Sequence, residues 1–118
     1  DVAAELADTI HLAEAAGIAD EKIILDPGVG FGKTHENNLE IVNCLEELNM
    51  FGYPLLLGCS RKSVIGLTLD LPVTERVEGT LVTTMFGVQK GCMFVRVHDV
   101  KENVRTIKMC EAILNSSN

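Results

Sequence analysis

Tryptophan is absent from the 118 residues, and aromatic residues of any kind make up only 4% of them. A core built without large rings has to come from aliphatic and sulfur side chains. Cations are scarce as well: ten Lys and Arg stand against seventeen Asp and Glu, a formal net charge of −7. That balance argues against nucleic acid or an anionic membrane surface as a partner, and any anion must be held by a few local cations against the global field. No stretch approaches the roughly 18–20 continuous apolar residues of a membrane span. No basic-plus-apolar leader opens the chain. The four cysteines, Cys44, Cys59, Cys92 and Cys110, show no C-x-x-C spacing and sit within apolar patterns. They read as reduced core thiols of a cytoplasmic protein. His11, His35 and His98 are far apart without ligand spacing, so no zinc site is expected.

What is present is a 47% apolar chain with an ordinary 23% of charged residues, one small domain or a piece of a larger one. A helix over about 1–16 stacks Val2, Leu6, Ile10 and Ala13, and Gly17 stops it. Three strand-then-helix units follow. Ile23–Asp26 is the first strand, and its helix over about 36–49 carries Ile41, Val42, Leu45 and Leu48, with Thr34 as cap. Gly52 and Pro54 break the chain before the second strand, Leu55–Gly58. A loop over 60–72 with room for a short helix leads to a helix from Thr74, bearing Val77, Leu81, Met85 and Val88 and ended by Gly91. Met93–Val97 is the third strand. Asp99 and Glu102 have the spacing of a capping box before a helix bearing Val104, Ile107, Cys110 and Leu114. Near-continuous aliphatic strands alternating with amphipathic helices predict an α/β fold with a parallel sheet covered by helices and right-handed crossovers. Three strands with apolar edges are few for an independent α/β domain.

The chemistry gathers at strand ends. Asp26-Pro27-Gly28-Val29-Gly30-Phe31-Gly32-Lys33-Thr34 imitates two phosphate loops and matches neither. A P-loop needs a glycine where Pro27 stands, and proline offers no N–H. Gly28, Gly30 and Gly32 alternate one residue short of the dinucleotide fingerprint. Asp26 instead suits a bidentate acceptor for the N–H edge of a heterocycle, or else a cap for the loop that follows it. The second strand ends in Ser60-Arg61-Lys62-Ser63, two adjacent cations beside hydroxyls on an acidic chain. The third ends in Arg96-Val97-His98-Asp99. Arg96 and His98 share one strand face, a placement suited to an anion, while pairing of Arg96 with Asp26 or Asp99 is the plainer possibility. In α/β folds the carboxyl ends of strands are where ligands bind.

Together these motifs resemble the carboxyl-terminal part of the dihydropteroate synthase family, the pterin-binding (β/α)8 barrels. Ile24–Lys33 looks like the sixth-strand motif, Leu57–Ser63 the seventh and Val95–Val100 the eighth. The resemblance implies that residues 1–118 are the last three βα units of one barrel, strands 6–8, preceded by one helix. It implies a transferase joining 4-aminobenzoate to 6-hydroxymethyl-7,8-dihydropterin diphosphate. It places Asp26 and Lys62 on the pterin, Phe31, Ser60 and Arg61 at the aminobenzoate pocket, and Arg96 and His98 on the diphosphate. Pro27, Gly28, Gly30 and Gly32 form the loop. A full barrel needs about 250 residues, so these residues alone are expected not to turn over. The family's magnesium is expected on a ligand in the missing amino-terminal part, with no metal ligand in this chain. A homodimer through the helices near 74–90 and 100–114 is implied too. Corrinoid methyltransferase domains share the barrel, but a methyl donor has no diphosphate for Arg96 and His98 to hold. A non-catalytic ligand-binding module is the remaining alternative.

Overall fold

In the computed structural model the described residues are 2–30 and 33–116. Helix α1 spans Val2–Ala15 and α2 His35–Asn43; strand β1 is Leu56–Leu57; α3 spans Ser63–Leu69 and α4 Val77–Gln89; β2 is Phe94–Val95; and α5 spans Val100–Leu114. The two strands run parallel, Leu56 opposite Phe94 and Leu57 opposite Val95. Leu25 adds a parallel bridge to Leu55 on the other side of β1. The predicted first strand is therefore reduced to a single bridge, though its backbone still exchanges hydrogen bonds with the middle strand, Leu25 N–H to Pro54 O and Leu56 N–H to Leu25 O, each 2.8 Å.

The strands are covered on one side only. Leu25 and Leu55 pack with Ile10 and Leu48, and Leu57 packs with Val42, Leu45, Val64 and Ile65, joined by Phe86 and Val95. These are the side chains of one strand face, turned to the helices by the period-2 alternation. On alternate positions Ile24 is 52% and Phe94 45% exposed. The expectation of a sheet buried by helices thus holds for one face and fails for the other, which carries Ile24 and Asp26, Leu56 and Gly58, Phe94 and Arg96.

Local departures have local causes. The helix expected over 36–49 divides at Cys44 into α2 and a 3-10 turn, Leu45–Phe51. Three residues per turn put Leu45 and Leu48 on one side, and both are buried. Thr34 caps α2 as expected, its side chain accepting the Asn37 N–H. A 3-10 turn, Val73–Glu75, delays α4 to Val77. The apolar stripes predicted for α4 and α5 are not their most buried positions. Thr80, Thr84 and Gly87 are buried on α4 and Asn103 on α5, because the two helices meet through a polar seam in which the Thr84 hydroxyl donates to Asn103 Oδ1. Val104 and Leu114 are left exposed. The capping box is not made either: Asp99 gives α5 no side-chain cap bond, since its carboxylate is held by Arg61. None of the described helices is long and apolar enough to cross a membrane.

Candidate functional site

The polar groups of the three strand ends are neighbours on the uncovered side of the sheet. Asp26 uses one carboxylate oxygen to accept the Gly28 N–H at 2.8 Å, and its other oxygen lies 3.7 Å from an Arg96 guanidinium nitrogen. The cap reading of Asp26 and the pairing of Arg96 with Asp26 are therefore both realised. Gly28 and Gly30 take positive φ, 71° and 90°, which glycine allows without a Cβ penalty. The Gly30 N–H donates to Asn38 Oδ1, 2.9 Å away on α2. The Gly28 and Gly30 amides are thus both committed inside the protein. Phe31 and Gly32 lie outside the described residues.

Lys62 reaches across from the second strand end and donates to the Val29 carbonyl at 2.7 Å, its stem passing 3.4 Å from where a Cβ on Gly30 would stand. Burial holds its ammonium below the usual lysine range, with Arg96 and Lys33 pushing the same way and Cys59 and Asp26 opposing. Lys33 donates to the Gly28 carbonyl at 3.1 Å, so it braces the loop. Burial pushes the neighbouring Cys59 thiol up to about 11. All four cysteines are free.

Ser60 is 6% exposed. Its hydroxyl oxygen accepts the His98 backbone N–H at 3.0 Å and lies 2.8 Å from His98 Nδ1. Ser60 is thus turned towards His98. Arg61 is also committed, its guanidinium donating to Asp99 through Nη2 at 2.9 Å and Nε at 3.3 Å. That fork holds the Asp99 carboxyl below the usual carboxylate range. Arg96 was expected to be an inward charge; in these residues its side chain is 58% exposed, because the sheet face beneath it is uncovered. Its guanidinium lies over Gly58, where a Cβ would come within 2.6 Å of Nη2.

The arrangement is an open ledge of alternating charge: Asp26 facing Arg96, Lys62 beside both, and His98 oriented by Ser60. Such a ledge can accept hydrogen bonds from a heterocycle at Asp26 and hold an anion at Arg96 and His98. Cavities of about 370 and 500 Å³ lie elsewhere, between α2, α3 and α4 and between α1 and α2. Among the described residues no group of three or more His, Cys, Asp and Glu side chains is placed to hold a metal. The sequence reading missed Asn38, Arg76 and Thr80, which support the ledge without touching its open side. Three threonines on α4, Thr80, Thr83 and Thr84, were the available signal for Thr80.

The family model for pterin binding enzymes matches residues 1–98. A dihydropteroate synthase of Clostridium beijerinckii is 57% identical over 115 residues, covering 97% of this chain and 43% of the relative. The crystal structure of the Yersinia pestis dihydropteroate synthase superposes with a TM-score of 0.94 at 40% identity, over 98% of this chain and 55% of that one. A Clostridium difficile dihydropteroate synthase crystallised in the presence of pteroic acid gives 0.90 at 47% identity, over 98% and 46%. The chain therefore spans about two fifths to one half of the length of the relatives it matches.

Proposed function

The chain belongs to the pterin binding enzyme family, and from that premise we propose that it supplies strands 6–8 of a dihydropteroate synthase barrel and most of the charged rim of its active site. The observation that carries the reading is the meeting of Asp26, Lys62, Arg96 and the Ser60–His98 pair at three adjacent parallel strand ends. The uncovered sheet face supports the barrel, because Ile24, Leu56 and Phe94 are placed as inward side chains of a closed sheet are.

In this reading 4-aminobenzoate attacks the methylene carbon of 6-hydroxymethyl-7,8-dihydropterin diphosphate. A C–N bond forms, the C–O bond breaks with its electron pair leaving on diphosphate, and the amine gives up a proton to solvent. Asp26 accepts hydrogen bonds from the pterin ring and steadies the positive charge that develops there. Lys62 lies along the same ring. Arg96 and His98 receive the negative charge growing on the leaving group. Ser60 and Arg61, with Phe31, border the aminobenzoate, whose neutral amine needs mainly orientation. No step passes through a metal, and the family's magnesium is assigned to residues outside this chain. Cytoplasmic location belongs to the same reading, supported by the four free thiols. So does a homodimer through α4 and α5, supported by exposed Val82, Val104, Met109 and Ile113; a strict monomer on sedimentation of the natural full-length polypeptide contradicts it.

The test is dihydropteroate formation by the natural full-length polypeptide containing this chain, beside residues 1–118 alone. The first is expected to form product and the second none. Product from the 118 residues alone refutes the claim that they hold only part of the site.

A further inference from the structure

Arg61 is one of two described non-glycine residues with positive φ, at 57°, a conformation that costs a residue with a Cβ about 1–2 kcal/mol. Something has to hold it there. The Arg61 N–H donates to Thr80 Oγ1 at 3.1 Å, and the Arg61 carbonyl accepts from Arg76 Nη1 at 2.9 Å. The same Arg76 guanidinium donates through Nε to the Leu71 carbonyl at 3.0 Å, tying the end of α3 to the turn. Thr80 in turn donates its hydroxyl proton to the Arg76 carbonyl at 3.1 Å. Gly66 leaves the room: a Cβ there would stand 2.2 Å from Arg76 Nη2.

The left-handed residue has a consequence for the two cations. It turns the chain so that Arg61 extends to Asp99 and Lys62 to the Val29 carbonyl of the glycine loop. Arg96 and His98 enter from a different strand, and neither bonds to Arg76 or Thr80.

We propose that Arg76, seated in the space Gly66 leaves and locked by Thr80, is a positioning residue that fixes the directions of Arg61 and Lys62, and so the binding of the pterin and the amine but not of diphosphate. This rests on the reading of the ledge given above. A purely structural role for Arg76, as a residue fastening α4, would lower stability without separating one ligand from another.

The experiment uses the natural full-length polypeptide with Arg76→Lys, which keeps the charge and loses the two-armed fork, and Gly66→Ala, which displaces the guanidinium. KM is measured for 4-aminobenzoate and for the pterin diphosphate, and inorganic diphosphate affinity is measured by titration calorimetry. The expected result in both variants is a rise of about tenfold in KM for 4-aminobenzoate, a rise in the same direction for the pterin substrate, and diphosphate affinity within about twofold of the parent. Unchanged KM values in a folded variant, or equal loss for all three ligands, overturn the proposal. So does failure of both variants to fold, which makes Arg76 a folding residue. An inactive parent protein instead counts against the dihydropteroate synthase reading, and diphosphate binding that survives there keeps the two failures distinguishable.

Discussion

Residues 26–30 leave their strand with help mostly from near neighbours: Asp26 caps Gly28, two glycines supply the positive φ, and Lys33 closes the loop from a few residues on. Residues 60–62 make a turn of similar size at the next strand end, closed by the Lys62 N–H to the Cys59 carbonyl at 3.0 Å, but its side-chain partners are remote. Ser60 and Arg61 are held by His98, Asp99, Thr80 and Arg76, between 15 and 38 residues away. The first turn uses glycine where left-handed backbone is needed, and the second uses an arginine held there by other elements. Near neighbours carry more of the bonding in one candidate ligand loop, and tertiary contacts carry more of it in the other.

The largest effect separating them is expected at Asp26. Asp26→Asn keeps the oxygen that accepts the Gly28 N–H and removes the charge facing Arg96. Product formation by the natural full-length polypeptide should fall by about 10- to 100-fold, the weight of a charge-assisted hydrogen bond, with the thermal midpoint little changed. A fall in stability as large as that in activity would mean that the charge, and not the local cap, shapes the first loop. Next in size is Thr80→Val. It leaves the Arg61 N–H without an acceptor and is expected to cost about 1–3 kcal/mol in chemical denaturation. A loss under about 0.5 kcal/mol would show the second turn to be as self-sufficient as the first. Gly28→Ala should cost about 1–2 kcal/mol through the positive φ alone, read from the same denaturation curves.

How much of this was legible follows the same division. The loop's glycines, Thr34 as a helix cap, the alternation that sets Arg96 opposite Val95, and the gathering of charge at strand ends all follow from near neighbours and period. The loop's described glycine amides, Gly28 and Gly30, are bonded within the protein. What the sequence could not reveal is which side chain reaches which. Asp99 and Glu102 have the spacing of a capping box, yet Arg61 takes the carboxylate because α5 begins beside the second strand end. The stripes on α4 and α5 follow hydropathy, while the buried positions include Thr80, Thr84 and Asn103, polar groups that need partners from another element. The exposure of Ile24, Phe94 and Arg96 depends on what covers the sheet, which no local pattern contains.

Two smaller effects sharpen the account through pH. Burial raises the Cys59 thiol from 9.0 to about 11, so folding favours its neutral form. Its contribution is complete below about pH 9 and is lost as pH rises from there through 11, where the unfolded thiol ionises first. In the folded protein at pH 8, iodoacetamide should leave Cys59 unmodified while denatured protein reacts; rapid labelling would contradict its burial. The Arg61 fork lowers the Asp99 carboxyl from 3.8, so its contribution is present above that value and is lost as pH falls through the lower, folded-state one. Thermal midpoints of the parent and of Asp99→Asn should therefore converge in strong acid. A gap unchanged with pH would remove the ion pair from the second turn.

The central claim is that the ledge is an anion site joined to a ring site across three strand ends. Titration calorimetry of inorganic diphosphate into the natural full-length polypeptide, with and without Arg96→Ala, tests it most directly. The account predicts binding by the parent and a loss of about tenfold or more in the variant. Equal affinity in the two proteins would contradict it.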